Sequence, residues 1–516
     1  MREVQTVLCR MKALGGENTF GRAEALQQSL PEEDTGRRNA FMMRLRSRLA
    51  IFGAKLAYKA IRRTGRGSGS AFPGFLARRI DPDILSVMSR MVRGKIIAVT
   101  GTNGKTTTNS IMYHALKAEG RKVLYNKMGA NLLDGVITAF VLASGKGGRL
   151  DVDYACIEVD EMASTGIFPG LKPDCVIVTN VFRDQLDRTG EVDIICDRIR
   201  RAVQEVPQAV LAVNADDICS WALRVGCANP VLTYGISEKM GEDIPVGTAE
   251  MIFCPVCGNR LEYAFFQYGQ LGVYRCPQCG LERPRPDVSA ADITWKKGRC
   301  SFTLDGMQVE CGARAPYNVY NTLSAYTALY AADAPREMFG EMIAGFDYGN
   351  QRESVFHIKE ARVQLYLAKN PIGFQQKIFL LMKDPEPKDV VIQINDTRLD
   401  GEDVSWLWDV DYHYLAGANT ATVTAGGARC DDMELCLKYD GIPCVSTRNI
   451  RHTVEELTTK GSKNLYIITN YSGLYRTNRM LGELQSAGTG GAVQDGRRTG
   501  GVGRRTMSAG REGAVS

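Results

Sequence analysis

The sequence has no apolar run long enough to cross a bilayer, and Met1 is not followed by the charged and apolar regions of a secretion signal. From these absences we expect neither a membrane-spanning nor a conventionally secreted protein. Fifteen cysteines fit a reducing compartment in which most thiols remain free and buried. We therefore expect a cytoplasmic protein.

A strong net charge is also missing. The 516 residues carry a formal net charge of only +6, which gives no reason to expect a nucleic-acid partner, and we predict none. With 44% hydrophobic and 24% charged residues, the chain is too apolar for disorder and too long for one compact core. We expect two or three domains.

The two ends of the chain offer little to bury. Residues 1–40 are polar and mixed in charge, and residues 486–516 are rich in glycine with scattered arginines, so we predict disorder at both ends. Residues 41–94 form an N-terminal helical region in which Phe41 to Arg63 reads as a basic amphipathic helix. Either this helix packs on its own domain with a solvated basic face, the commoner case, or it makes peripheral contact with the inner face of the cell membrane.

Strand-like and helical stretches alternate through the rest of the chain. In residues 95–348 the apolar runs KIIAVT, ACIEV, CVIVTNV and AVLAVN alternate with helical segments, which is typical of a parallel sheet covered by helices. A second alternating region at residues 349–485 predicts another α/β domain. The predicted fold class is α/β.

The stretch IIAVTGTNGKTTT is typical of a phosphate-binding loop. It predicts a buried strand from Lys95 to Thr100, then a glycine turn whose backbone N–H groups point inward, and then a helix. Lys105 would reach the terminal phosphates of ATP, and Thr106 would offer its hydroxyl to Mg²⁺. The spacing G-x-x-G-K-T is two residues shorter than the general Walker pattern, and a purely structural turn is the alternative. The predicted ATP-binding residues of the loop are Gly101, Thr102, Asn103, Gly104, Lys105, Thr106 and Thr107.

Four cysteines form two C-x-x-C pairs separated by eighteen residues, inside an insertion at residues 251–283. The residues are Cys254, Cys257, Cys276 and Cys279. Two tight turns that each offer two thiolates satisfy tetrahedral Zn²⁺, so the pattern predicts a zinc ribbon. Four free thiols or two redox pairs are the alternatives. Because the protein would fill all four positions, the zinc would be structural.

Five motifs in order carry a family resemblance. GTNGKTTT is followed by IEVDE, TNVFRDQLD, LAVNADD and YNVYN, and this order resembles the ATP-dependent Mur ligases and folylpolyglutamate synthetases. These enzymes activate a carboxylate as an acyl phosphate, from which an amine then displaces phosphate. The resemblance implies a central P-loop domain of the Mur ligase type followed by a Rossmann-like C-terminal domain.

The resemblance also implies roles for individual residues. Glu158 would bind Mg²⁺ at a strand end, with an ordinary surface glutamate as the alternative. Asn318 and Asn321 would lie near adenine, unless they cap a helix.

The segment TNVFRDQLD departs from the family pattern. The resemblance implies that Asn180, Asp184 and Asp187 lie near a second metal or the acyl phosphate. Many Mur ligases have histidine where this chain has Gln185, and DIICDRIRRAV offers no clear lysine to match the one that they carbamylate. The usual arrangement of the second metal is therefore not expected.

The insertion and the C-terminal region narrow the resemblance. A four-cysteine ribbon in the central domain, LAKNPIGFQQ and INDTRLDGEDVSWLWDVDY are similar to the Mur-ligase-like subunit (MurT type) of lipid II isoglutaminyl synthase. That family uses ATP and ammonia from glutamine to amidate the α-carboxylate of D-glutamate in lipid II. Lys369 and Asn370 are further candidates for a substrate site or an interface.

A glutaminase centre is not recognisable in this chain. Glutaminases need a cysteine activated by histidine, and none of the four histidines lies in a glutaminase motif. The resemblance implies a second polypeptide, a class I glutamine amidotransferase of the GatD type, whose Cys-His pair an aspartate of this chain completes. Spacing alone does not identify that aspartate: we favour Asp403 and Asp409, with Asp400 in reserve, and capping of a helix near Ser405 is the alternative.

Two other functions remain open from the sequence. One is a self-sufficient amino-acid-adding ligase of the folylpolyglutamate synthetase or peptidoglycan ligase type, against which the ribbon and the C-terminal aspartates argue. The other is a non-catalytic scaffold with a zinc ribbon that binds nucleotide.

Overall fold

The computed structural model describes residues 32–64, 69–126, 130–184, 190–240, 251–296, 299–348, 353–397 and 400–489. These residues form two compact units. The first unit comprises the described residues within Met1–Asn350 together with Ala368–Leu381 and Asp396–Tyr414, and the second comprises the rest. The expected domain boundary at 349–352 lies outside the described residues, as do both chain ends. Among the described residues, no helix combines the length and apolarity that a membrane span requires.

Three helices open the first unit: α1 (Glu32–Thr64), α2 (Phe72–Ile80) and α3 (Ile84–Ser89). Helix α1 begins at Glu32, so the last residues of the segment expected to be disordered are helical. One side of α1 is buried at Ala50, Ile51 and Ala54, in the same core cluster as Ala77 of α2. This packing agrees with the interpretation of α1 as a helix attached to its own domain.

The first unit then contains a large sheet and a separate hairpin. The strands are β1 (Ile96–Thr100), β2 (Val123–Tyr125), β3 (Tyr154–Glu158), β4 (Cys175–Val178), β5 (Val210–Asn214), β6 (Val231–Ile236), β7 (Glu262–Tyr268), β8 (Leu271–Arg275), β9 (Val288–Lys296), β10 (Arg299–Leu304) and β11 (Met307–Cys311). Strands β7 and β8 form the hairpin, and the other nine form one sheet in the order β11-β10-β9-β6-β5-β4-β1-β3-β2. Seven adjacent strands of this sheet run parallel: β9, β6, β5, β4, β1, β3 and β2. Strands β10 and β11 extend the sheet beyond β9 as an antiparallel edge.

Helices cover this sheet on both faces, which explains why its central strands are apolar along their whole length. They are α4 (Lys105–Ala118), α5 (Leu133–Ala143), α6 (Ser164–Leu171), α7 (Val192–Gln204), α8 (Ile218–Ala222), α9 (Pro316–Ala331), α10 (Phe339–Ala344) and α11 (Pro371–Met382). Every residue of β1 and β4 is buried. The predicted α/β class with parallel strands is confirmed.

Strand register decides where the site can form. Strand β1 lies between β3 and β4, with Val99 opposite Glu158 and Thr100 opposite Val178. The three strands are parallel and end within one residue of one another. The segments that follow them therefore all leave the sheet at the carboxyl ends of the strands. The glycine loop, Glu158 and the TNVFRD segment therefore meet there.

The β7-β8 hairpin connects the cysteine-rich insertion to the sheet domain. The two C-x-x-C turns flank the open end of the hairpin. At the closed end, the buried Gln270 side chain donates to the carbonyl of Val181, at 2.8 Å, and to the Asp217 carboxylate, at 2.9 Å. The hairpin tip is thus fixed beside the TNVFRD segment.

Two segments that the sequence assigns to the C-terminal domain cluster with the first unit. Phe374 of α11 is fully buried and packs against Trp406 and Tyr412. Ile372 belongs to the core cluster that also contains Phe182. The apolar side chains of LAKNPIGF and SWLWDVDY thus pack against residues of the first unit.

The second unit is a smaller α/β body. Its strands β12 (Glu353–Ile358), β13 (Ala361–Leu367), β14 (Lys388–Gln393), β15 (Thr420–Gly426), β16 (Val445–Thr447) and β17 (Asn464–Thr469) form a sheet in the order β12-β13-β17-β14-β15-β16. Only β12 is antiparallel to its neighbour. Helices α12 (Cys430–Tyr439), α13 (Ile450–Thr459) and α14 (Tyr471–Thr489) accompany it. Val363, Leu465 and Ile467 are fully buried in its core.

Candidate functional site

The glycine loop forms the tight turn that its sequence predicts. Gly101 and Gly104 have φ angles of 116° and 89°, which side-chain-bearing residues rarely adopt. Gly104 is the residue before the first turn of α4, so the loop ends at a helix N-terminus. This combination is a favourable environment for an anion, because backbone N–H groups and the helix dipole act together. Thr107 lies in that first helical turn.

Lys105 is buried inside the loop. Its ammonium group donates to the carbonyl of Gly101 and to the Glu161 carboxylate, each at 2.5 Å. Glu161 is equally buried, and burial raises the pKa of its carboxyl while Lys105 acts in the opposite direction. Glu161 lies in the motif IEVDE, but its role cannot be recognised from the sequence alone. Its contact holds the lysine within the phosphate loop.

Thr106 and Glu158, the two residues expected to bind Mg²⁺, are in direct contact. The Thr106 hydroxyl donates to Glu158 Oε2 at 2.8 Å, and Asn131 Nδ2 donates to Glu158 Oε1 at 3.1 Å. Glu158 is buried at the end of β3, so the alternative of a surface glutamate is wrong. One hydroxyl and one carboxylate at a phosphate loop are oxygen ligands of the kind that Mg²⁺ prefers. The residues present fit the ion.

Asn180 fixes the shape of the loop. Its side chain accepts from the backbone N–H of Asn103 at 2.9 Å and donates to the Asn103 carbonyl at 3.1 Å. The neighbouring Thr102 hydroxyl donates to the Phe182 carbonyl, and the Phe182 N–H donates to that hydroxyl, both at 2.9 Å. Asn180 was predicted to lie near a second metal or the acyl phosphate, and its observed contacts support the loop.

A lysine from the LAKNP segment reaches the same place. Lys369 forms an ion pair with Asp184, and the two side chains are only 13% and 3% exposed. The adjacent Asn370 donates from Nδ2 to Asn103 Oδ1 at 3.2 Å, which joins this segment to the phosphate loop. Sequence reasoning singled out Asp184 and Lys369 separately and missed that they meet. Asp187 and Gln185 lie outside the described residues.

The two asparagines of YNVYN behave differently. Both are buried on α9, but only Asn321 faces the loop: a Cβ added to Gly104 would lie 2.1 Å from Asn321 Oδ1. The Asn318 side chain accepts from the backbone N–H of Arg314 at 3.5 Å, just before the helix begins. Ala315 is the N-cap of α9 and both asparagines lie within the helix, so the alternative that they cap it is wrong. In LAVNADD, the buried Asp216 accepts a hydrogen bond from Arg283 at 2.6 Å, which fits a structural role.

The C-terminal aspartates have distinct partners within the first unit. Asp403 accepts from the backbone N–H of Ser405 at 2.8 Å, and this bond holds the pKa of its carboxyl below the usual value. Asp409 pairs with Arg183 at 3.1 Å. Asp400 is buried and accepts from the Thr397 hydroxyl at 2.6 Å. Asp403 thus holds the first N–H of the short 3-10 helix Ser405–Asp409, whose N-cap is Val404, and its side chain is partly exposed.

The four cysteines of the insertion converge on one point. Their sulfur atoms all lie within 4.8 Å of one another, with Cys254 and Cys276 buried and Cys257 and Cys279 exposed. Gly258 and Gly280, both at φ 73°, close the two turns with N–H groups bonded to the carbonyls of Cys254 and Cys276. The N–H of Cys279 lowers the pKa of the Cys276 thiol to about 7, whereas the pKa values of the Cys257 and Cys279 thiols are raised, so the fit to a metal rests on the positions of the sulfurs. The cluster fits a tetrahedral metal.

Comparison with known proteins identifies two family regions. Residues 99–329 match the family model of the Mur ligase middle domain, and residues 367–474 match that of the MurT ligase C-terminal region.

Two relatives that this chain matches over almost their whole length share the name MurT. The subunit MurT of lipid II isoglutaminyl synthase (glutamine-hydrolysing) from Streptococcus pneumoniae is 30% identical over 451 residues, which cover 86% of this chain and 98% of the relative. Its counterpart from Staphylococcus aureus is 30% identical over 452 residues, covering 87% and 100%.

Solved structures share the fold. A pseudomurein peptide ligase type C from Methanothermus fervidus superposes with a TM-score of 0.60 at 19% identity, covering 77% of this chain and 80% of that one. MurF from Acinetobacter baumannii superposes with a TM-score of 0.57 at 15% identity, covering 80% of both chains. The Mur ligase type of α/β fold follows from these likenesses.

The fit between Gly104 and Asn321 can be tested directly. Gly104→Ala places a methyl group against Asn321 at a positive φ, so we expect binding of an ATP analogue to weaken at least tenfold, about 1.4 kcal/mol. Gly120→Ala is the matched control, because Gly120 also has a positive φ, 71°, but nothing lies within 4 Å of its added Cβ. Titration calorimetry measures both. Equal affinities in the two variants would show that this contact does not shape the nucleotide site.

Proposed function

The chain belongs to the MurT family of Mur-type ligases, and from this premise we propose that it amidates the α-carboxylate of D-glutamate in lipid II, with ATP as the energy source. The single observation that carries the proposal is the convergence of Lys105, Thr106 and Glu158 with the Asp184–Lys369 pair at one sheet edge. Lys105 and Thr106 are suited to bind phosphates, and Lys369 is suited to bind an acidic substrate.

The proposed reaction has two steps. A carboxylate is a poor electrophile, so it first takes the terminal phosphoryl group of ATP and becomes an acyl phosphate; ammonia then displaces phosphate and forms the amide. The loop N–H groups and Lys105 would neutralise the phosphate charge during transfer. Thr106 and Glu158 would hold Mg²⁺, which supplies further charge neutralisation when bound.

Lys369 supplies a cation on the substrate side. The segment DIICDRIRRAV contains no lysine to match the one that many Mur ligases carbamylate. A different lysine, Lys369, reaches Asp184 from a segment 185 residues away in sequence. A buried ammonium beside the phosphate loop would orient the incoming carboxylate and offset the charge of its phosphorylated form. Asp184 keeps the lysine in place.

The cysteine cluster is proposed to bind structural Zn²⁺. Four converging sulfurs satisfy the metal completely, so no position remains for water or substrate. The cluster lies at the open end of the β7-β8 hairpin, whose tip contacts Val181. Zinc would therefore stabilise the insertion and, through the hairpin, the segment that carries Asp184.

A second polypeptide is proposed to supply ammonia. None of the described histidines is placed with a cysteine as a hydrolytic pair would require: His114 binds the Ser110 carbonyl, and His413 lies 3.9 Å from Asp411. We propose a glutamine amidotransferase of the GatD type as the partner. Asp403 is the first candidate to complete its Cys-His pair, because Asp409 is bound to Arg183 and Asp400 is buried.

We propose that the enzyme works in the cytoplasm at the inner face of the cell membrane, where the lipid-linked substrate would be reached. A self-sufficient ligase is less favoured, because the relatives that this chain matches over most of their length are named as subunits.

Lys105→Ala should abolish amidation even with ammonium salt in place of glutamine, because activation of the carboxylate fails. We expect a loss of at least about 10²- to 10³-fold, the range for removal of one preorganised charge-stabilising group. Phosphate release and lipid II amidation measure it. Lys117→Ala, an exposed lysine on the same helix, is the control and should match the wild type.

Lys105→Ala also leaves Glu161 buried without its cation, which destabilises the fold. The double variant with Glu161→Gln should regain thermal stability and remain inactive. Recovery of amidation in the double variant would mean that Lys105 acts only structurally.

Asp403→Asn should remove glutamine-driven amidation and spare ammonia-driven amidation in the complex with the glutaminase. The reason is that the carboxylate acts on the partner's histidine and not on ATP. Asp409→Asn and Asp400→Asn, measured in parallel, show whether another member of the group holds this role. A parallel loss of both activities in all three variants would contradict the division of labour.

Cys254→Ser should lower the zinc content from about one ion per chain and should loosen the insertion. Mass spectrometry of acid-digested protein gives the stoichiometry, and protease sensitivity of residues 251–283 reports on folding. Cys227→Ser, a half-buried cysteine outside the cluster, should keep the metal. Unchanged zinc in Cys254→Ser would rule out the ribbon.

A further inference from the structure

Helix α1 has two opposite apolar sides, and only one of them is packed. Ala50, Ile51 and Ala54 are buried against the domain. On the other side Leu45, Leu49, Phe52 and Leu56 follow one another at helical spacing and are 46%, 56%, 69% and 59% exposed. We call these four residues the outer stripe. Packing among the described residues of the first unit does not account for them.

The outer stripe continues into a neighbouring groove. The groove has a volume of about 770 Å³ and lies between α1 and the turn at residues 144–148; Leu49, Phe52, Tyr58 and Leu142 provide its apolar lining. Phe72 and Phe75 of α2 are also exposed, at 53% and 42%. Exposed apolar side chains gathered on one surface in this way favour an interaction site.

The charge around the stripe has one sign. Between Leu45 and Thr64 the helix contains no acidic residue and six basic ones: Arg46, Arg48, Lys55, Lys59, Arg62 and Arg63. Arg48, Lys55, Lys59 and Lys146 also line the groove. Lys55 is held by the carbonyls of Ser144 and Gly145, whereas Arg48, Lys59, Arg62 and Arg63 form no ion pair with any described residue. The surface is therefore apolar at its centre and positively charged along its side.

We propose that the outer stripe docks α1 on an anionic phospholipid surface, with the helix axis in the plane of the membrane. The apolar side chains enter the boundary between headgroups and acyl chains, and the cations beside them bind lipid phosphates. The packed side of α1 keeps the first unit attached to the docked helix. This inference deepens the proposed function, since a lipid-linked substrate is presented at such a surface, but the docking itself requires no catalysis.

From the sequence, packing on its own domain and membrane contact are alternatives for this helix. The structure shows that they are compatible, because the buried residues and the outer stripe occupy opposite sides of α1. Their spacing is what an interfacial helix carried by a folded domain requires.

Vesicle cosedimentation of the full chain in complex with its glutaminase tests the proposal. We expect strong binding to vesicles of phosphatidylcholine and phosphatidylglycerol at three to one, weak binding to pure phosphatidylcholine, and a marked loss of binding at high salt. Leu49→Ser/Phe52→Ser should reduce binding to anionic vesicles at least tenfold. Leu435→Ser/Val445→Ser removes two exposed apolar side chains from the second unit and should bind like the wild type.

Amidation assays separate this proposal from the proposed function. The stripe variant should amidate lipid II in detergent micelles at the wild-type rate and be slower on lipid II in vesicles. Wild-type failure in micelles would refute the proposed function and leave the docking result standing. The docking proposal would be overturned if the wild type bound anionic and uncharged vesicles equally well. It would also be overturned if the stripe variant bound anionic vesicles as well as the wild type does. Loss of the glutaminase from the complex in the stripe variant would also overturn it, because the stripe would then be a protein interface.

Discussion

The ammonium group of Lys105 is buried within the glycine loop, and the arrangement of the candidate site depends on this burial. A buried cation needs compensation, which the Gly101 carbonyl and the Glu161 carboxylate provide. The loop can close this tightly only because Gly101 and Gly104 accept positive φ angles. The lysine therefore stands at a fixed position close to the helix N-terminus, where the charge of a phosphate is best met.

A second constraint comes from side-chain amides. The loop is two residues shorter than the general Walker pattern, and its backbone is held from outside by Asn180 and by Asn370 through Asn103. Asn370 belongs to a segment that also carries Lys369, so the same stretch of chain shapes the phosphate loop and places a cation beside Asp184. In the proposed reaction, phosphate binding and substrate positioning would therefore depend on the same segment.

Local patterns were enough to predict much of this arrangement. The glycine loop, Glu158 at a strand end and the four cysteines each depend on a short spacing that local geometry enforces. The meeting of Lys369 with Asp184 could not be predicted, because it depends on where a distant segment packs and not on a motif. Asn318 and Asn321 show the same limit: one motif contains both, yet only the helix orientation decides that Asn321 faces Gly104. Glu161 was visible in a quoted motif, but its role needed the coordinates of Lys105.

The β7-β8 hairpin links the proposed zinc site to the segment that carries Asp184. One end of it carries the four cysteines, and the other, through Gln270, holds Val181 three residues before Asp184. A metal that never touches the reactants would thus decide how firmly the acidic end of the site is held. Zinc scarcity in the cell would then slow the ligase without competing for ATP or for the peptide.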